Sequence, residues 1–372
     1  MSTTRKFKSY VGIDLHKTTL TIGGLGPRKK NLGVKAIDTK CVDMIVDYVE
    51  SFPKPCQCAI ESVGMYEWLY DLLEDHVDEL LLVDAAQAKK LKKRGTAKTD
   101  KNDALHIAEL LVIDHAPLSY VPPKAYRTLR KLGRHYHNLS EAAANAKTQI
   151  RWILNQHNAR GPASLSYDKA QRWLLGHGKK LDDSSTFAYQ QYLNQIGLFE
   201  AQKAEAVRQM NLIAKTDKFK KQFELIQSVP GIGPVISFII VGEIADFSRF
   251  PKSDNIASYT GLTERTNESA GNRKPGSISR CGNPTLRWAL VEAATTLIAN
   301  DKKYRDMHDR IVNNKGVATS INKHKAKIAI AQKLIRYLWK MMQTGELFRK
   351  GESTGKQAKL NEIRLQKKKK EA

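Results

Sequence analysis

Tyr10-Val11-Gly12-Ile13-Asp14 is an apolar, β-branched run that ends on a carboxylate, and Cys58-Ala59-Ile60-Glu61 repeats the arrangement further along the chain. Short apolar runs of this kind read as buried strands. Around them, residues 8–14, 18–25 and 31–38 read as three strands, the last with alternating Leu32, Val34 and Ala36. Thr39 is placed to cap a helix whose apolar positions, Val42, Ile45, Val46 and Val49, follow i, i+3, i+4, i+7 and which stops before Pro53. A strand at 56–61, a helix around 66–76 (Trp68, Leu69, Leu72, Leu73) and a strand at 79–84 come next. Asp100 and Asp103 then open a further helix with Leu105, Ala108 and Leu110 among its apolar residues. Carboxylates at i and i+3 share one helix face.

Three strands, helix, strand, helix, strand, helix is the element order of the ribonuclease-H-like fold, in which the first and fourth strands are neighbours at the sheet centre. That order predicts Asp14 beside Glu61, with Asp100 and Asp103 delivered to the same spot by the last helix. Four carboxylates so gathered cannot all stay ionised without a cation, which makes Mg2+ the expected cofactor. Taken singly, Asp14 and Glu61 read as strand-end caps, and Asp100 and Asp103 as first-turn acids favoured by the helix dipole. Their joint placement is what points to a metal site. His16 and Lys17 follow Asp14 closely but are less sharply indicated; His106, three residues past Asp103, reads as a helix-surface residue outside that site.

The composition agrees. The chain of 372 residues carries 62 Lys+Arg against 38 Asp+Glu, a formal charge of +24, and the usual partner of so positive a field is nucleic acid. A ribosome-associated protein or a membrane-surface binder would share that charge, but no basic amphipathic helix or lipidation motif favours a membrane. Cys56-Gln57-Cys58 puts two of the four cysteines on one face of a strand, poor geometry for a disulfide, and a reducing compartment fits best. No apolar run approaches membrane-spanning length and the N-terminus lacks an apolar signal core, so the expected location is cytoplasmic, in a prokaryotic cell and at the nucleoid when acting.

Residues 1–125 therefore read as one domain. From 126 to 227 the pattern is polar and helical, punctuated by Gly161-Pro162 and Asp182-Asp183-Ser184-Ser185. Residues 126–156 carry Arg127, Arg130, Lys131, Arg134, Lys147 and Arg151 along amphipathic helices, and residues 186–227 suit a helical hairpin or coiled coil against a sister subunit, or a plain helical linker. Pro230-Gly231-Ile232-Gly233-Pro234 lies near the start of a third region, 228–345, mainly α-helical. A turn of this type between helices lets the backbone at Gly231 and Gly233 approach a phosphate, or simply joins two core helices. Residues 235–241 read as a buried helix. Residues 261–284 read as a glycine-rich, basic, hydroxyl-bearing loop between helices, with Ser269, Ser277 and Ser279 as candidate nucleophiles that periodicity does not separate. Residues 346–372, ending in four lysines, read as a basic disordered tail.

Gly12-Ile13-Asp14-Leu15-His16-Lys17, Ile60-Glu61-Ser62 and Lys98-Thr99-Asp100-Lys101-Asn102-Asp103-Ala104 resemble the DEDD-motif transposases of the IS110 insertion-sequence family, a group that includes the Piv-type DNA invertases. The resemblance continues in Gly261-Leu262, Ser269, Gly276-Ser277-Ile278-Ser279-Arg280-Cys281-Gly282-Asn283 and Leu286-Arg287. It implies a RuvC-like N-terminal domain whose acids Asp14, Glu61, Asp100 and Asp103 bind Mg2+, and a C-terminal transposase domain. Counting back from Ser279, it also implies that Ser269 is the nucleophile. Three positions depart from the family pattern: Ala270 where glycine is usual, Glu264 for proline, and Cys281 for a basic residue that would contact phosphate. The implied activity is cutting and rejoining of donor and target DNA through a covalent phosphoserine, with Arg265, Arg273 and Lys274 on the phosphates. The implied partners are a bridge RNA that guides the reaction and sister subunits in a dimer or tetramer. Two rival readings are a RuvC-like nuclease that hydrolyses DNA junctions with water, and a non-catalytic nucleic-acid-binding protein whose acids are only caps.

Overall fold

The computed structural model describes residues 7–92, 97, 99–269, 272–278, 282–313 and 319–348, the side chains of 217, 218, 264–269 and 272–278 excepted. The chain divides into two compact units, residues 1–121 and 122–372.

The first unit is built on a six-stranded sheet. Its elements are β1 (Ser9–Leu15), β2 (Thr19–Leu25), β3 (Asn31–Asp38), α1 (Val42–Glu50), β4 (Cys56–Glu61), α2 (Tyr66–Leu73), β5 (Glu79–Val83), α3 (Ala85–Leu91), α4 (Asp100–Val112) and β6 (Leu118–Ser119). The strand order is β3-β2-β1-β4-β5-β6. β1 runs antiparallel to β2 and parallel to β4, and β4 runs parallel to β5. β1 and β4 are thus central neighbours, as the element order predicts.

Side-chain alternation along β1 sorts the layers. Val11, Ile13 and Leu15 join Ile45 and Val49 of α1 and Leu69 and Leu73 of α2 in one fully buried core. The opposite face, through Ala59 and Val83, packs on Ala88 of α3 and Ile107, Leu110 and Leu111 of α4. Gly12 lies on this second face, where an added Cβ would stand 2.1 Å from the Ala104 carbonyl oxygen. Glycine is what allows α4 to lie directly on β1. α3 and β6 escape the sequence reading. Ala85–Leu91 is too short and too poor in large apolar residues to show a helical period, though Asp84 accepting from the Gln87 N–H at 2.9 Å is a capping arrangement readable in Asp84-Ala85-Ala86-Gln87.

Among its described residues, the second unit is helical apart from one hairpin. It comprises α5 (Lys124–Gln156), α6 (Tyr167–His177), α7 (Asp183–Ala214), α8 (Asp217–Gln227), α9 (Pro234–Ile244), α10 (Ser253–Tyr259), β7 (Glu264–Ser269), β8 (Asn272–Ile278), α11 (Pro284–Asn300), α12 (Lys302–Asn313) and α13 (Ser320–Thr344). α5 and α7 pack along each other in opposite directions, with Lys147 Nζ 3.5 Å from Glu200 Oε1 and His157 Nε2 2.9 Å from Ser185 Oγ. Their far ends and α6 share a separate core of Ile150, Trp173, Tyr189, Leu193 and Ile196. Their near ends join the main core through Leu129, Ala206 and Met210, against α9, α11 and α13. The helical middle is therefore continuous with the C-terminal helices within one unit.

One expectation is corrected here. Residues 261–284 are not a plain loop between helices, because β7 and β8 form an antiparallel hairpin with Glu264 opposite Ile278 and Ser269 opposite Asn272. The pairing rests on backbone hydrogen bonds. The strand Glu-Arg-Thr-Asn-Glu-Ser has no apolar alternation to announce it.

Candidate active site

Period-2 alternation puts Gly12 and Asp14 on the same face of β1. Gly12 abuts Ala104 and Ala108 of α4. Asp14, two residues on, therefore meets the preceding turn of that helix, which begins with Asp100 and carries Asp103. Thr99 fixes this turn by accepting a hydrogen bond from the Asn102 N–H at 3.2 Å. On the other side, Ile13 pairs with Ile60, so Asp14, next to last in β1, and Glu61, last in β4, follow side by side on adjacent parallel strands. The Asp14 and Glu61 carboxyl groups share a hydrogen bond.

The electrostatics follow from this crowding. Burial raises the Asp14 carboxyl above its ordinary 3.8, opposed by His16 and reinforced by Asp103 and Asp100. Burial, then the Asp14 charge, push Glu61 from 4.5 to about 7. Asp14 thus feels Glu61, Asp103 and Asp100, and Glu61 feels Asp14 and Asp103. The four acids are not equivalent. Asp100 is exposed, and Asp103 is half-buried in an ion pair with Lys92 Nζ.

Sequence reasoning missed two members of this group. His16 Nε2 lies 3.3 Å from Asp14 Oδ2 and 3.4 Å from Asp100 Oδ1. Its place two residues past Asp14 was the available signal. Lys92, the C-terminal cap of α3, has no such signal, because Ala85–Leu91 shows no helical period in the sequence. His106 is set apart from the acids, with Nε2 3.1 Å from the Ala88 carbonyl oxygen.

Carboxylates offering oxygen donors around one buried acid are a donor set that suits a hard divalent cation. Raised carboxyl affinities for protons are also what a cation would relieve. The residues present fit such an ion.

In the second unit, Ser269 ends β7, facing Asn272 across the ladder, while Arg273 and Lys274 lie opposite Glu268 and Asn267. Arg265 lies within β7 and Ser277 within β8. Ser279 and Cys281, like the tail from 349 on, fall outside the described residues.

The hairpin has a built root. Gly261 and Gly282 approach so closely that a Cβ on Gly282 would stand 2.1 Å from the Gly261 nitrogen. Asn283 caps α11 and donates from Nδ2 to Glu243 Oε2 at 2.7 Å. Tyr259, just before the hairpin, donates its hydroxyl to the Glu243 carbonyl oxygen at 3.2 Å. Glu243 is 1% exposed and also receives both Nε (2.7 Å) and Nη2 (3.0 Å) of Arg134. Arg130 and Arg134, which the sequence places along an amphipathic helix, are thus partners of an internal carboxylate.

Gly231 and Gly233 sit in the turn between α8 and α9. Gly231 packs against Thr296 and Leu297 of α11, whereas Gly233, the N-terminal cap of α9, faces open space.

The sequence model of the DEDD transposases matches residues 11–159, the segment holding all four acids. The model described as the transposase IS116/IS110/IS902 family matches residues 223–309, the segment holding Ser269. The chain is 22% identical over 350 residues to a Pseudomonas aeruginosa protein named "Probable family 20 transposase", covering 92% of this chain and 99% of that one. It is 24% identical over 270 residues to the transposase for insertion sequence element IS1111A of Coxiella burnetii, 68% of this chain and 69% of that one. Over 301 residues it is 25% identical to the insertion element IS116 uncharacterized 44.8 kDa protein of Streptomyces clavuligerus, 68% and 73% of the two chains. With both halves matched in order, the chain belongs to the IS110 family of insertion-sequence transposases, enzymes that act on DNA.

Proposed function

We propose that this transposase cuts and rejoins DNA through a covalent phosphoserine intermediate. Asp14, Glu61, Asp100 and Asp103, in a unit of RuvC-like type, hold Mg2+, which when bound supplies charge stabilisation to the scissile phosphate and the leaving oxygen. The Ser269 hydroxyl attacks phosphorus; the serine O–P bond forms, the P–O3′ bond breaks, and the serine proton ends on the departing 3′-hydroxyl. The phosphodiester is conserved in the enzyme–DNA bond, so a 3′-hydroxyl from another strand reseals it without ATP. Arg265, Arg273 and Lys274 contact phosphates around the serine, and the turn at Gly231 and Gly233 contacts the DNA backbone at the start of α9.

The observation that carries this reading is the buried carboxyl of Asp14, on which Glu61, Asp103 and Asp100 all act, in a chain of the DEDD family. The formal charge of +24 supports binding of donor and target DNA together with a guiding bridge RNA, base pairing supplying the sequence specificity. Pairing of subunits through the region 186–227, as a coiled coil in a dimer or tetramer, holds two duplexes together. The location that fits this work is cytoplasmic, at the nucleoid.

The test is a suicide DNA substrate with Mg2+, offered to the wild type, Ser269→Ala and Asp14→Ala. Both variants lose strand transfer, and covalent capture maps to Ser269 in the wild type. Near-normal cleavage by Ser269→Ala refutes the phosphoserine step and leaves hydrolysis by water at the acids.

A further inference from the structure

The turn between β1 and β2 places an imidazole against the acids. The His16 N–H donates to the Thr19 carbonyl oxygen at 2.9 Å, fixing the backbone two residues beyond Asp14. From there the half-exposed ring reaches back toward the acids. Nε2 is 3.3 Å from Asp14 Oδ2, on the strand, and 3.4 Å from Asp100 Oδ1, on α4. One donor atom from each of the three residues lies within 4.8 Å of the other two. Six donors around a divalent ion at ~2.1 Å stand about 3 Å apart along each octahedral edge. The two edges that meet at the His16 nitrogen are already close to that length, and drawing the carboxylate oxygens together on an ion gives one face of that octahedron, with nitrogen at one corner and carboxylate oxygen at the others. A nitrogen at that distance from two carboxylates occupies ligand space that a fourth acid would otherwise fill, and the fourth acid, Asp103, is turned to Lys92.

We propose that His16 is a direct ligand of the divalent ion, so that the centre has a mixed nitrogen–oxygen donor set and takes Mn2+ as well as Mg2+, binding Mn2+ more tightly than the carboxylates alone would. This rests on the reading that the acids hold a divalent ion. Imidazole binds transition-metal ions better than Mg2+, whose preferred ligands are carboxylate, carbonyl and water. Loss of His16 therefore weakens Mn2+ binding while leaving Mg2+ binding nearly as it was.

The test uses the full chain with Mn2+ and Mg2+, each alone, as probes. Pulsed electron paramagnetic resonance of the Mn2+ protein reads nitrogen coordination, and calorimetry reads Mn2+ and Mg2+ affinities. These are measured for the wild type, His16→Gln and Asp14→Asn. The expected result is a histidine-nitrogen modulation in the wild type that is absent from His16→Gln. Mn2+ affinity is expected to fall roughly tenfold and Mg2+ affinity less than about threefold in His16→Gln. Bound Mn2+ lacking nitrogen modulation in the wild type, or modulation unchanged in His16→Gln, overturns the ligand assignment and leaves the acid site standing. Mn2+ affinity unchanged in Asp14→Asn, or absent in the wild type, overturns the acid site itself. Labelling the wild type with 15N-histidine makes the nitrogen readout independent of how any variant folds.

Discussion

The carboxyl groups of Asp14 and Glu61 share a hydrogen bond across two adjacent parallel strands, with Asp14 only 3% exposed. Two carboxyl groups so joined hold one proton between them unless a cation replaces it. Without a cation, the folded unit is therefore most comfortable with that proton in place, and with one it is not. Proton and metal ion compete for the same oxygens.

This competition fixes a pH dependence. Glu61 is raised from 4.5 to about 7, so the folded state binds a proton that the unfolded state has released between those values. Stability gained from this group is full below pH 4.5, falls as pH rises, and is lost above about 7; the displacement corresponds to on the order of 3 kcal/mol. Glu61→Gln keeps the hydrogen bond and removes the titration. In chelator-treated protein, urea denaturation should show the variant gaining on the wild type between pH 4.5 and 7 and holding a constant advantage above. Parallel stability curves would mean that Glu61 titrates normally. Above pH 7, added Mg2+ should close the gap by stabilising the wild type alone.

Lys92 sets a second expectation. Its ammonium is paired with Asp103 and mostly buried, so it supplies part of the positive charge that a metal ion would bring. Lys92→Met removes that charge and keeps the stem. Divalent affinity should rise by about 1 kcal/mol, roughly fivefold, because one competing charge near the carboxylates is gone. Calorimetric titration with Mn2+ measures this directly. An affinity that falls instead would show that Lys92 holds Asp103 in a binding orientation and does not compete.

How much of this was legible in the sequence depends on where each interaction has its cause. Asp14 and Glu61 were readable because a strand's period is fixed and both acids close apolar runs of the same kind. The eight principal elements of the first unit followed from patterns local to each segment, and α1, for instance, lies at Val42–Glu50 where its apolar spacing put it. Lys92 beside Asp103 was not readable, since it depends on α3, whose Ala-Ala-Gln-Ala-Lys-Lys-Leu has no distinguishing period. The β7–β8 hairpin was hidden because its strands are polar, and strand pairing by backbone leaves no mark on side-chain pattern. Glu243 lies two residues past the apolar run 235–241, which announced only a buried helix, and its arginines are over a hundred positions away in sequence. Such long-range pairing is set by packing, which no local window contains.

Gly12 is a test of how α4 is held. An added methyl at this position would meet the Ala104 carbonyl oxygen at 2.1 Å and the Ala108 nitrogen at 2.7 Å, both backbone atoms that cannot swing aside. Gly12→Ala should therefore cost about 1–3 kcal/mol by overpacking and push α4 outward. Asp100 and Asp103 move with the helix, so Mn2+ affinity should drop as well. Gly64→Ala is the control, because nothing lies within 4 Å of the new methyl there. Thermal melts and calorimetry on both variants decide the matter. Normal metal binding in a destabilised Gly12→Ala protein would separate the helix position from the donor set.

Glu243 provides the matching test in the second unit. Its carboxylate, 1% exposed, is bound by Arg134 through two hydrogen bonds, by Arg130 Nε at 3.2 Å, and by Asn283 at the foot of the hairpin. Removing one member of a buried charge cluster leaves the others uncompensated, so Glu243→Ala should cost about 3–5 kcal/mol. Arg134 is half-exposed and can turn to water, so Arg134→Ala should cost distinctly less. The loss should also be visible locally. Asn283 and Tyr259 are held to Glu243 on either side of the hairpin, so releasing them should speed amide hydrogen exchange in β7 and β8 before the helical core opens. Glu243→Gln keeps an acceptor and a similar shape but carries no charge to balance the two arginines. It should fall between wild type and Glu243→Ala in urea midpoint. Equal midpoints for the alanine variant and the wild type would show that the cluster contributes no net stability, and unchanged exchange in the hairpin would show that its root lies elsewhere.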